Sequence, residues 1–185
     1  MKTTTDYVMN KGTSVIFPEY NEDGKLQSVV VENNRLYRVD QKPTTLVDQN
    51  LRYYGSSLRG AKDGTRMILG NVMMSPVVIN ERLNLYWFPS KSPYRDDCVW
   101  FALQHIKDYK AIGNKKTSIT LLNGTKFMLD LSSYSFEERF NNACRLKTLI
   151  EGRTIQLMVC ESEQAASYLI SKDRCDRNYE VLERE

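Results

Sequence analysis

Residues 51–66 bring four cations, Arg52, Arg59, Lys62 and Arg66, together with Gly55, Gly60, Gly64, Ser56 and Ser57. Backbone and hydroxyl donors beside positive charge are what phosphate oxygens bind, and arginines in a compact loop can enter a narrow minor groove. The same residues also fit a plainer reading, with glycines for turns, Tyr53 and Tyr54 for core and cations in water. The residues alone leave both readings open. Other chemistries lack parts. Cys98, Cys144, Cys160 and Cys175 contain no CxxC pair and His105 is the one histidine, so a zinc site has no framework. There is no GxSxG, and the glycines fit neither a dinucleotide loop nor a P-loop. The acid pairs Asp96-Asp97 and Glu137-Glu138 are adjacent, and adjacent side chains on a strand or helix do not face one another. The expectation is a protein that is not an enzyme and holds no metal.

Charge is segregated. The whole chain has 26 Lys+Arg against 23 Asp+Glu, +3. From Arg35 to Arg66 seven basic residues stand against three acidic, and from Lys107 to Lys126 five against one. Residues 161–185 carry four basic and seven acidic. Two basic stretches followed by an acidic end favour a polyanion for the body and a separate role for the tail. With 41% hydrophobic residues the 185-residue chain folds rather than staying disordered. No apolar run reaches about 18 residues, and the first six residues have no apolar core like that of a signal peptide. A cytoplasmic protein, free of the membrane and with reduced thiols, is expected.

The elements that must hold these groups read as mainly β. Residues 14–17, 28–31 and 35–39 read as short strands. Residues 21–24 form a turn between the first two, and Asn33-Asn34 suits a two-residue hairpin between the others. After Pro43, Thr44 can cap a helix near 44–54, with Val47, Leu51 and Tyr54 on one side and Gly55 to end it. Residues 67–69, 77–79 and 85–88 read as core strands. Ser118–Leu122 and Lys126–Leu131 flank Asn123-Gly124, the preferred pair for a type I′ hairpin. Ser135 and Glu138 have capping-box spacing ahead of Phe136, Phe140, Ala143 and Ile150, which predicts a packed helix near 135–151. A short helix is predicted near 163–171. No recognition helix with base-reading side chains stands out. The fold class is α+β, mainly antiparallel sheet with hairpins, and the expected organisation is a DNA-binding domain over 1–153 followed by a regulatory or divergent tail over 154–185.

Several motifs in order carry a resemblance. Tyr53-Tyr54-Gly55-Ser56-Ser57, then Gly60, Lys62 and Gly64-Thr65, Ser75-Pro76-Val77-Val78, Phe88-Pro89, Trp100, and the block from Asn123-Gly124 through Ser133-Tyr134-Ser135-Phe136-Glu137 resemble the ComK family of bacterial competence transcription factors over roughly residues 10–150. The resemblance implies an activator of DNA-uptake genes, its own included. It would bind paired A- and T-run boxes of double-stranded promoter DNA chiefly through the minor groove, bend the DNA, and assemble as a dimer and a dimer of dimers. It also implies no cofactor and control by an adaptor that delivers the protein to a Clp protease. After about residue 153 the chain departs from the family pattern, and residues 156–160 are a weak counterpart of the adaptor motif. Ala61 stands where relatives carry a basic residue; Lys62 is carried over by position and Arg59 by inference.

The expected DNA contacts are therefore Arg52, Arg59, Lys62 and Arg66, with Lys115 and Lys116. Each phosphate neutralised would contribute about −0.9 to the log–log salt slope. A minor-groove reader separates A/T from G/C but not A from T, so the phase of the boxes would supply further selectivity. The alternative is a β-rich protein-interaction module that binds no DNA.

Overall fold

The computed structural model describes residues 3–158, 167–170 and 179–182. They fall in two compact units, residues 1–150 and 151–185. In the first, β1 (Thr3–Thr4), β2 (Thr13–Tyr20), β3 (Leu26–Glu32), β4 (Arg35–Val39), β5 (Val77–Asn80), β6 (Leu85–Pro89) and β7 (Trp100–Ala102) build one sheet in the order β1-β4-β3-β2-β7-β6-β5. Every pairing in it is antiparallel except that of β1 with β4. A second sheet, β10-β9-β8, comprises β8 (Ile106–Ile112), β9 (Lys116–Leu121) and β10 (Lys126–Leu129). The helices are α1 (Pro43–Tyr53), α2 (Leu58–Leu69) and α3 (Ser133–Met158). The α+β, mainly antiparallel fold class therefore holds.

The large sheet is covered on both faces, which explains why its central strands are continuous apolar runs. Successive side chains point to opposite faces. Ile16, Val30, Trp87 and Trp100 thus enter one core with Leu46, Val47 and Leu51 of α1, while Val15, Val31, Phe88 and Phe101 enter another with Ile119, Leu121 and Phe136. The helix pair α1–α2 and the small sheet with α3 consequently lie on opposite faces. In the second core Phe136 stands edge-on to Phe88 and Phe101, with centroids 5.7 and 5.8 Å away. Pro18 does not end β2. It pairs with Ser28 beyond the point where β2 leaves β7, where a missing N–H costs nothing.

Several local expectations need correction. Asn33 and Asn34 do both take positive φ, 45° and 66°, as a tight two-residue turn requires. At Asn123-Gly124, by contrast, only Gly124 does, at 86°. The Gly124 N–H donates to the Leu121 carbonyl at 2.9 Å, so Leu122 joins a three-residue loop that ends in a left-handed glycine, not a type I′ turn. Thr44 does not cap α1. Pro43 starts that helix in its first turn, and the Thr44 hydroxyl donates to the Pro93 carbonyl at 2.6 Å while accepting from Trp100 Nε1 at 3.2 Å. The cap of α3 is Ser132, whose Oγ accepts the Ser135 N–H at 3.2 Å, so Ser135 lies inside the helix. Residues 67–69 are the last turn of α2, not a strand, and Met67 is 86% exposed.

In the second unit, Ser167–Ile170 forms β11, paired antiparallel with β12 (Tyr179–Leu182). The helix expected near 163–171 is thus strand at 167–170; its remainder lies outside the described residues. No helix among the described residues is long and apolar enough to cross a membrane.

Candidate nucleic-acid interface

The basic stretch is two helices and a four-residue joint, not a loop. Leu46, Val47, Asn50 and Leu51 bury the inner side of α1. The chain then turns at Gly55, φ 91°, where the Gly55 N–H donates to the Arg52 carbonyl at 3.0 Å and the Ser56 N–H to the Leu51 carbonyl at 2.8 Å. This pair of hydrogen bonds over a left-handed glycine is the Schellman ending. Ser57 opens α2, its Oγ accepting the Gly60 N–H at 3.1 Å. Asp48 of α1 accepts the Leu58 N–H at 2.7 Å. Leu58 and Ala61 pack on the core, and buried Thr65 donates to the Pro76 carbonyl at 2.8 Å.

With that side inward, Arg59, Lys62 and Arg66 fall three and four residues apart, a spacing that makes one stripe on a helix. Asp63 lies among them, 4.0 Å from Arg59 and 3.8 Å from Arg66. Arg59 is the most open, its side chain 94% exposed. Exposed pairs of this kind contribute little and are easily exchanged for a phosphate.

The stripe forms one wall of a cleft of about 720 Å³. Lys42, the residue just before α1, and Arg52 of α1 also line it, and residues 93–96 supply the opposite wall. Six cations, Lys42, Arg52, Arg59, Lys62, Arg66 and Arg95, face three acids, Asp48, Asp63 and Asp96. The excess positive charge in a concave surface concentrates its field. The far wall is braced: Lys42 reaches Asp96 at 3.2 Å, and Asp97 accepts from Arg95 at 2.8 Å and from Lys91 at 2.6 Å. Those bonds, Arg95 foremost, hold the Asp97 carboxyl well below the ordinary range. Across the cleft, the Lys62 ammonium lies 4.9 Å from the centre of the Tyr94 ring.

Four of the six residues expected from sequence, Arg52, Arg59, Lys62 and Arg66, therefore share this cleft. Lys115 and Lys116 do not. They sit at the β8–β9 turn of the small sheet, on the other face of the large one, with Lys116 3.7 Å from Asp130. Lys42, Tyr94 and Arg95 were absent from the sequence expectation, because only folding brings 42 and 93–96 against α2. Elsewhere, His105 Nε2 donates to the Lys11 carbonyl at 2.8 Å, a structural tie. Among the described residues no three His, Cys, Asp or Glu side chains gather as a metal would require.

The ComK protein family matches residues 4–155, which span the cleft, the small sheet and most of α3. The chain belongs to the ComK family. It is 31% identical over 147 residues to the Competence transcription factor of Bacillus subtilis (strain 168), a match that covers 80% of this chain and 76% of that protein. No solved structure matches. The ComK match thus includes the full α1–α2 pair and the braced 90–98 loop, as well as Lys115 and Lys116.

Proposed function

We propose that this chain is a sequence-specific DNA-binding transcription activator of competence (DNA-uptake) genes that performs no catalysis. The observation that carries the reading is the Arg59–Lys62–Arg66 stripe on α2, which shares one cleft with Lys42, Arg52 and Arg95. The name of its B. subtilis relative, a competence transcription factor, supports the same role. Flexible exposed cations without a row of amide side chains suit phosphates and groove width better than individual base edges. The reading therefore extends to paired A/T-rich boxes, the minor groove and a bent duplex, bound by a dimer or a dimer of dimers. Lys115 and Lys116 take the role of a second contact, reached by DNA that bends around the molecule. Residues 154–185 are read as a regulatory or divergent tail, and a Clp-protease adaptor is a further partner of the reading, without a match to the family's adaptor motif in that tail.

The test is fluorescence anisotropy on two duplexes of equal length, one with phased A- and T-runs and one G/C-rich, titrated across salt. Tighter binding to the phased duplex, lost when a half-turn is inserted between the boxes, is the expected result. Equal binding to both would leave only a basic surface. No binding even at low salt would replace the reading with a protein-interaction module.

A further inference from the structure

The DNA-binding reading accounts for the cations of the cleft but not for the aromatic ring at its rim. Tyr94 is 84% exposed. A lone exposed tyrosine is ordinary on a protein surface. This one differs because the chain on either side of it is held fast. Pro93 before it is buried and its carbonyl accepts from Thr44 at 2.6 Å, a hydroxyl itself fixed by Trp100 of the core. After it, the exposed ion pairs Arg95–Asp97 and Lys42–Asp96 add little by themselves, and the backbone does the holding. The Arg95 N–H donates to the Ser92 carbonyl at 3.0 Å and the Cys98 N–H to the Arg95 carbonyl at 3.2 Å, closing the loop on itself. A rigid loop thus holds out one flat side chain with few torsions to freeze, which makes an inexpensive anchor for binding.

Its neighbours are the charges that would meet phosphate. The Lys62 ammonium lies 4.9 Å from the ring centre, close enough for a cation–π contact that aligns the two. Arg95 follows it in the chain, and Arg59 and Arg66 lie on the facing helix. A duplex whose phosphates engage these cations brings its sugars and base edges close to the exposed ring that Tyr94 carries on the wall of residues 93–96. Proteins that kink DNA from the minor groove insert a side chain between base steps and offset the unstacking with wider contact.

We infer that Tyr94 is a wedge that unstacks one base step of the bound A/T-rich duplex, the ring-mediated contact that turns a charged cleft into a bending device. The inference rests on the DNA-binding reading above. Lys62 is then a phosphate ligand that lies beside the ring without being needed to hold it.

The test places 2-aminopurine at successive adenine positions of the phased duplex and reads its fluorescence, with end-to-end energy transfer for the bend and anisotropy for affinity. Wild type and Tyr94→Phe are expected to raise the fluorescence at one step and shorten the duplex. Tyr94→Ala should bind about tenfold more weakly, with no fluorescence rise, less bend and an unchanged salt slope. Lys62→Gln should keep the rise while its salt slope becomes shallower by about 0.9. Circular dichroism confirms that each variant is folded. Wild type that binds without a rise at any step, or Tyr94→Ala that retains the rise, overturns the wedge and leaves DNA binding intact. Equal fluorescence with an altered elution volume for Tyr94→Ala overturns it in favour of a protein contact. Wild type that does not bind the duplex removes the DNA-binding reading itself, and the wedge with it.

Discussion

Asp48 of α1 accepts the Leu58 backbone N–H of α2 at 2.7 Å, so one helix of the pair caps the next. Its second oxygen accepts from Arg52 Nε at 2.9 Å. Partial burial works against the charged carboxylate, but the Leu58 amide and the Arg52 guanidinium outweigh it, and the group stays charged below the ordinary carboxyl range. Asp48→Ala is expected to lose about 1 kcal/mol of stability, the usual worth of a cap. Because the folded value is depressed, the contribution is complete above the unfolded value of about 3.9 and fades as pH falls through the folded one. Urea denaturation at pH 7 and at decreasing pH checks this. The gap between wild type and variant should close in acid, and a gap that widens there would contradict it.

Gly64 sits inside α2 with nothing within 4 Å of where a Cβ would be. Gly64→Ala should therefore stabilise the protein by about 0.5–1 kcal/mol, since alanine loses less backbone freedom on entering a helix. Gly55 makes the useful contrast. Its φ of 91° is the left-handed ending of α1, so Gly55→Ala should destabilise by about 1 kcal/mol despite equally open space. Opposite shifts of the melting temperature, of a few degrees each, are the expected signature.

These glycines also explain what could and could not be read from the sequence. Asn33-Asn34 was legible because positive φ at two successive residues is demanded by the turn and tolerated by few side chains. The runs 77–79 and 85–88 were legible because strands covered on both faces must be apolar throughout. Helix α2 was hidden. Gly60, Gly64 and four charged residues interrupt its inward row of Leu58, Ala61 and Thr65, and its cap, Ser57, reads as part of a glycine–serine loop. The basic residues were therefore found, while their order on one helical stripe was not. Tyr94 and Arg95 were out of reach for a different reason. Their loop is joined to the rest through Thr44, Trp100 and Lys42, and Tyr94 meets Lys62 of α2, all long-range contacts that leave no local pattern.

The stripe yields a salt test. Replacing Arg59 and Lys62 together by Ala should weaken binding to the A/T-rich duplex and flatten the log–log salt slope by about 1.8, two phosphate contacts' worth. Anisotropy titrations across salt measure it. An unchanged slope would mean that this face of α2 does not reach the phosphates.

Cys98 lies in the braced loop and is buried against the first core. Burial pushes its thiol up to about 11. At pH 8 about one molecule in a thousand then carries the thiolate, the form that reacts. Alkylation mapped by mass spectrometry should leave Cys98 unmodified in the native protein and modify it promptly after unfolding. Rapid native labelling would show that the 90–98 loop opens, which would also undercut a rigid Tyr94.

Lys115 and Lys116 give the sharpest geometric prediction, because the sheet that carries them covers the face of the large sheet opposite to α1 and α2. A short straight duplex lying in the cleft passes them by; a longer one that curves around the molecule comes back to them. Lys115→Gln with Lys116→Gln should thus leave the salt slope unchanged on a duplex of about one helical turn, and flatten it by up to about 1.8 on one spanning both boxes. The comparison is internal, since the same two proteins are titrated on both lengths. Equal loss on both duplexes would bring the turn to the primary contact and require the DNA to run along the small sheet. No loss on either would confine the interface to the cleft.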